Sequence, residues 1–197
     1  MELYEKFRKL KADKTYIGLE EGDTEGGYFC TPKGMRVFGW ENCIHYGFIE
    51  GFGETVFAVN PEGSVNENGE MLYVYPLAAD FKSFLELVLA GRGTTAIEQA
   101  VWMTKEEYSD FVKESLEFSD EFHQETEEVL VLLEKELHLT PEKHPWEKIK
   151  QLQDSFEYGK ISFSNEYYDT LGEERPDGTV PAERRTAFAE AEADTEQ

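Results

Sequence analysis

The stretch that decides the fold is GFIEGFGETVFAVNPEG, Gly47–Gly63, in which three glycines within seven residues precede a run of β-forming side chains. A dinucleotide-binding loop would need a further glycine three positions after Gly53, where Val56 stands, and would have to lead into a helix. The stretch also lacks the Gly-Lys-Ser/Thr ending of a P-loop. Because glycine adopts positive φ angles without strain, we predict that these residues turn the chain between two strands.

Short apolar and aromatic runs surround this turn and fill residues 15–76, separated by Gly, Pro and Asn. The runs are TYIGL, YFCT, MRVFGW, IHYGFI, TVFAVN and MLYVYP. Short strands bounded by turn-forming residues are typical of antiparallel sheets, which often leave one face in water. The sequence therefore predicts an antiparallel central sheet in the N-terminal half of the chain.

Helical periodicity appears over residues 1–14 and again over 80–153. Asp80 is the predicted N-cap of the first helix after the sheet, because an apolar stripe follows it. The runs TAIE, Thr95–Glu98, and TKEE, Thr104–Glu107, each match a capping box, in which a hydroxyl and a carboxylate satisfy unpaired helix N–H groups. We expect both to begin helices.

Two further helices are predicted after these caps. The first has an apolar stripe from about Asp120 to Leu137, and the second begins with Thr140 as cap and Pro141 at the first helical position. Since strands precede helices, the pattern predicts an α+β fold with C-terminal helices packed on the sheet. We expect one domain over residues 1–171, followed by an acidic, disordered tail over 172–197.

The net charge is the strongest global property of the chain, with 42 acidic against 19 basic residues and a formal charge of −23. Such a surface would repel nucleic acid and anionic lipid, because binding to either requires cationic side chains. It favours a basic protein partner, although solubility alone also explains acidity. The charge is concentrated between Glu106 and Glu136, where twelve acids accompany two lysines. A solvated helix face and a basic partner both explain this run.

Compartment, membrane and metal signals are weak. The N-terminus is charged and lacks the apolar run of a signal peptide, and no stretch approaches the roughly 20 apolar residues of a membrane helix. We therefore expect a cytoplasmic protein in which Cys30 and Cys43 are reduced thiols. The cysteines and the four histidines have no ligand spacing, so the sequence predicts neither a metal site nor a cofactor.

The candidate partner-binding residues lie near the glycine-rich turn and at the first predicted helix cap. They are Trp40, Glu41, Glu50, Glu54 and Asp80. Core packing is the default role of Trp40, and a hot-spot anchor is its functional alternative. Glu50 and Glu54 could act as acid and base in a hydrolase, but solvated turn charges are favoured in a chain so rich in acids. No GxSxG motif indicates a nucleophilic triad.

Several segments resemble the SUKH superfamily, in the branch that includes bacterial immunity proteins and a fungal cell-wall-synthesis regulator. The segments are GFGETVFAVNPEG, VYPLAADFKSFLELVLAG and TKEEYSDFV, and the likeness covers roughly residues 44–115. It implies an α+β fold with a central antiparallel sheet, and a non-enzymatic role. Many bacterial members look like antidotes encoded beside polymorphic toxins, which are often nucleases and therefore basic.

Together these observations predict a cytoplasmic, non-enzymatic binding protein, of the immunity type that neutralises a basic toxin by occlusion. A regulatory interaction scaffold without a toxin partner is the alternative, and a carboxylate-based hydrolase is the third hypothesis. An enzyme would be expected to contain a concave pocket with a carboxylate of raised pKa, whereas a binding protein would present a complementary surface.

Overall fold

The sheet is antiparallel and occupies the N-terminal half of the chain, as predicted. The structure is a computed structural model, and it describes residues 2–22, 26–66, 69–117 and 121–180. Its strands pair in the order β1-β2-β3-β4, each antiparallel to the next. They are β1 (Met35–Glu41), β2 (Ile44–Ile49), β3 (Val56–Val65) and β4 (Met71–Ala78).

One helix precedes the sheet and the others follow it, so the α+β class is confirmed. The helices are α1 (Glu2–Lys9), α2 (Phe81–Gly91), α3 (Thr94–Trp102), α4 (Lys105–Glu117), α5 (Glu121–Leu137), α6 (Pro145–Ser155) and α7 (Asn165–Leu171). Within the described ranges, no helix is long and apolar enough to cross a bilayer.

The glycine-rich stretch turns the chain between β2 and β3, as its composition predicted. Gly51 and Gly53 have φ angles of 91° and 67°. A Cβ atom built on either residue would meet no other atom within 4 Å. The turn therefore requires glycine for its backbone angles alone, because the space around both residues is open.

Two of the six predicted strands are absent. TYIGL contributes most of a 3-10 helix, Lys14–Ile17, whose start is fixed by a hydrogen bond from the Thr15 N–H to the Asp13 carboxylate at 3.1 Å. YFCT forms a turn, in which the N–H of Thr31 donates to the Tyr28 carbonyl at 2.9 Å. In both cases local side-chain and backbone hydrogen bonds replace a strand ladder.

The helix starts were predicted with mixed success. The Asp80 cap is confirmed, because its carboxylate accepts from the Ser83 N–H at 2.7 Å. The TKEE capping box is also confirmed, since the Thr104 N–H donates to Glu107 at 2.8 Å and the Glu107 N–H donates to the Thr104 hydroxyl at 3.3 Å. These caps depend on residues three positions apart, and local sequence is sufficient to specify them.

The other two predicted caps are wrong. The helix expected to start at Thr95 begins one residue earlier, after Gly93, and uses no side-chain cap. The helix expected after Thr140 begins at Pro145. The intervening segment is tied to α2 instead, because the N–H of Glu142 donates to the carbonyl of Glu86 at 3.0 Å.

Both faces of the sheet are covered, unlike the many antiparallel sheets that leave one face in water. The first face packs against the helices through side chains such as Tyr46 and Tyr75. The second carries Phe57 and Val59. It is covered by the chain before β1 and after α6, including Cys30, Phe156, Ile161, Phe163 and Tyr167.

The later helices belong to the same core as the sheet. Leu130 and Leu133 of α5 and Ile149 of α6 are buried in the cluster that contains the helix-facing side of the sheet. After α7, Gly172 has a φ of 66° and Arg175 pairs with Asp169 at 2.6 Å. Most of the segment predicted as a disordered tail, residues 181–197, lies outside the described residues. The single-domain boundary stays a prediction.

Candidate protein-binding site

Trp40 is half-buried at the end of β1 and packs against two aromatic rings. Its ring lies 4.6 Å from the ring of His45, its partner across β1 and β2, and 6.0 Å from the ring of Tyr28. The backbone of Gly22 covers the indole so closely that a Cβ there would come within 2.1 Å of it. These contacts describe a half-buried side chain at the sheet edge, outside the two buried hydrophobic clusters.

The other predicted acids serve different parts of the structure. Glu50 is exposed at the start of the β2–β3 turn and lines a cavity of about 260 Å³ together with Lys33 and Lys160. Glu54 is half-buried at the other end of that turn. Asp80 lies after β4, where its carboxylate caps α2. The structure therefore brings Glu50 and Glu54 onto one turn, whereas the contacts of Asp80 belong to α2.

Glu41 joins the end of β1 to the first turn of α3. Its two carboxylate oxygens accept hydrogen bonds from the hydroxyls of Thr94 at 2.6 Å and Thr95 at 2.5 Å. The same carboxylate lies 3.2 Å from the hydroxyl of Tyr46. That hydroxyl also forms a hydrogen bond with Glu98, in the second turn of α3. Two carboxylates thus share one phenol.

The Glu98 side chain is only 5% exposed, and burial raises its pKa from the ordinary 4.5 to about 8. The hydrogen bond from Tyr46 opposes this rise, and the charge of Glu41 adds to it. A phenol has one proton and cannot donate fully to two carboxylates at once. The raised pKa favours the protonated form of Glu98, in which one hydrogen bond joins its carboxyl group to the Tyr46 hydroxyl.

Sequence reasoning missed the role of Glu98 because it assigned this residue to a capping box. The apolar residues around Glu98 could have corrected this assignment, since Ile97 and Val101 of the same helix are buried. A buried carboxylate with a raised pKa is a known sign of an active site. Here it is enclosed between the sheet and α3, where it connects those two elements.

The outer face of α5 is acidic and includes an exposed apolar residue. We define this face by its outward residues Glu127, Glu128, Val131 and Glu134. Val131 is 51% exposed, and the Glu127 carboxylate forms an ion pair with the Arg92 guanidinium at 2.6 Å. Within the described ranges, Glu128 and Glu134 have no basic partner. Val131 thus has three acids, Glu127, Glu128 and Glu134, and one base, Lys135, three or four positions away on the same helix, all exposed.

Helix α4 adds further negative charge. Its exposed acids are Glu106, Glu107, Asp110 and Glu114. Asp110 pairs with Lys113 at 3.2 Å, but both side chains are largely in water and such pairs are weak. The two helices approach where the His123 ring contacts the carbonyl of Ser115 at 3.2 Å. A cavity of about 230 Å³ opens beside this contact.

Comparison with known proteins gives no further guide to this surface. No protein-family model matches the chain, and neither a curated protein nor a solved structure matches it. The segments that resemble the SUKH superfamily include β3, β4, α2 and the first turns of α4. Membership of that superfamily stays an expectation drawn from those segments.

Proposed function

We propose that the protein is a non-enzymatic binding protein that captures a basic protein, as an immunity protein captures a toxin, and blocks it by occlusion. The observation that supports this proposal is the outer face of α5, where the exposed Val131 has three carboxylates and one lysine as helical neighbours. An exposed apolar residue contributes contact area, and carboxylates without basic partners select a cationic surface.

Charge and apolar contact would act at different stages of binding. A net charge of −23 attracts a cationic partner over a distance and increases the association rate, especially at low salt. Apolar contacts such as those available at Val131 then slow dissociation. Because the two effects depend differently on ionic strength, salt affects mainly the association rate of the proposed complex.

The first experiment is a pull-down from the source cell with tagged protein at low and moderate salt. The retained protein is identified, purified and titrated calorimetrically against the wild type and against a Glu128→Lys, Glu134→Lys double variant. The matched control is Glu62→Lys, Glu166→Lys, which makes the same change in net charge at exposed acids on β3 and α7.

One basic partner, encoded beside this gene, with an affinity that falls about tenfold in the α5 variant and much less in the control, would support the proposal. Several unrelated partners retained with similar strength would instead favour the regulatory scaffold. The absence of any retained protein at low salt would overturn the proposal, because low salt maximises the electrostatic attraction on which it depends.

A further inference from the structure

The cavity between α3, α4 and α5 has a volume of about 230 Å³ and is open to solvent. Much of its lining is apolar, from Ala96, Phe111 and Phe122. Phe122 is 55% exposed, whereas every other Phe, Tyr and Trp in the described ranges is buried or half-buried. An open apolar cavity with an exposed aromatic residue is a typical place for a partner side chain to insert.

Two walls of this cavity, on α3 and α5, are held by contacts within the chain. Ala96 is buried, and the Thr126 hydroxyl donates to the Tyr16 carbonyl at 2.9 Å, which ties α5 to the segment before the sheet. The ring of Phe122 packs against that of Tyr16 at 5.3 Å. Walls that are already ordered reduce the entropic cost of binding, so less of the contact energy of a partner side chain is lost to ordering the cavity.

The charges around the cavity indicate what would flank the inserted side chain. Arg92 lines the cavity but is paired with Glu127 at 2.6 Å, which partly neutralises its charge. Two of the helices that wall the cavity carry exposed carboxylates outside it, among them Glu114 on α4 and Glu128 on α5. A cationic neighbour of the occupant is therefore favoured on these outer faces.

From this geometry we infer that the cavity is the anchor pocket for a large apolar side chain flanked by lysine or arginine on the basic partner. The inference rests on the proposed function and specifies the partner further. The apolar side chain fills the space between Ala96, Phe111 and Phe122, and its basic neighbours pair with exposed carboxylates such as Glu114 and Glu128. Binding then depends on both shape and charge.

The test uses two synthetic peptides of equal charge, each with a central residue between three lysines on either side. One has tryptophan at the centre and the other has serine. Their affinities for the full chain are measured by calorimetry at low salt, and backbone amide shifts are followed by NMR. We expect the tryptophan peptide to bind about fivefold tighter and to shift the amides of Thr95, Ala96 and Thr126.

A Ser115→Leu variant places an apolar side chain in the cavity and should remove the advantage of tryptophan. Ser155→Leu is the matched control, because both serines donate to helix carbonyls and Ser155 lies on α6. The Ser155→Leu control should still bind the tryptophan peptide more tightly than the serine peptide. Phe122→Ser is a second variant at an exposed position, and it should also reduce the preference if Ser115→Leu does not fold.

The outcomes separate this inference from the proposed function. Equal binding of both peptides, or a tryptophan preference that survives in Ser115→Leu and Phe122→Ser, would overturn the anchor pocket and leave capture of a basic partner intact. If neither peptide bound at low salt, the charge complementarity behind both proposals would fail together.

Discussion

The hydroxyl of Tyr46 on β2 forms a hydrogen bond with the carboxyl group of Glu98 on α3, across 52 positions of sequence. The same hydroxyl lies 3.2 Å from the carboxylate of Glu41. This arrangement connects the sheet to the helical layer through side-chain hydrogen bonds. It also makes the stability of the protein depend on pH in a direction that can be worked out from the structure.

Glu98 should destabilise the protein as pH rises. Its pKa is about 8 in the folded state and 4.5 ordinarily, so the folded state retains a proton that the unfolded state releases. The favourable contribution is complete below pH 4.5 and is lost as pH rises to about 8. We expect Glu98→Gln, which keeps a neutral polar group, to flatten the loss of unfolding free energy between pH 6.5 and 8.

The measurement for Glu98 is urea unfolding at several pH values, compared between the wild type and Glu98→Gln. One proton contributes a slope of at most about 1.4 kcal/mol per pH unit. Glu166→Gln, at an exposed position on α7, is the control and should leave the slope unchanged. Identical slopes for Glu98→Gln and wild type would contradict the assignment of the proton to Glu98.

His45 should act in the opposite direction at lower pH. Burial lowers its pKa from the ordinary 6.5 to about 4, so the folded state keeps the ring neutral while the unfolded state gains a proton. The favourable contribution is complete above pH 6.5 and is lost as pH falls towards 4. NMR titration of the ring protons should give a midpoint well below 6.5, and a midpoint near 6.5 would contradict this prediction.

The two groups oppose each other between pH 4.5 and 6.5. As pH falls through this window, the contribution of Glu98 to the unfolding free energy increases, whereas the contribution of His45 decreases. Glu98→Gln removes the opposing contribution of Glu98 and leaves that of His45, so we expect this variant to lose unfolding free energy more steeply than the wild type on acidification from pH 6.5 to 4.5. The same urea series measures both windows, and a parallel loss in the two proteins would exclude this opposition.

The turn between β2 and β3 should not tolerate a side chain at Gly51. Its φ of 91° is strained for any residue with a Cβ, although no atom lies within 4 Å of that position. We expect Gly51→Ala to lower the unfolding free energy by about 1 kcal/mol. Gly159→Ala is the control, because that glycine also has open space but no positive φ. Equal thermal melting of both variants would show that backbone strain is not the reason for glycine here.

Asp80 should contribute to folding through its cap. Its carboxylate accepts from the Ser83 N–H at 2.7 Å, so Asp80→Ala should lower the unfolding free energy by about 1 kcal/mol. Asp80→Ser should restore most of it, because serine also caps helices. If both variants lost stability equally in urea unfolding, the capping bond would not explain the effect.

The sequence by itself determined the features that depend on neighbours along the chain. The turn at Gly51 and Gly53, the four strands of the sheet and the caps at Asp80 and Thr104 all follow from backbone sterics, alternation or side chains three positions apart. TYIGL and YFCT have strand-like composition, but local turn hydrogen bonds decide their structure. Composition alone does not distinguish runs that form strands from runs that form a turn or a short 3-10 helix.

Only the tertiary structure decided which acids are buried and which face water. Glu98 and Glu128 are chemically identical, yet the fold encloses Glu98 against Tyr46 and leaves Glu128 exposed on the outer face of α5. Likewise, Trp40 lies in the packed edge of the sheet while Phe122 is open to solvent at a cavity. These differences arise because desolvation and charge depend on contacts between segments distant in sequence, which no local pattern records.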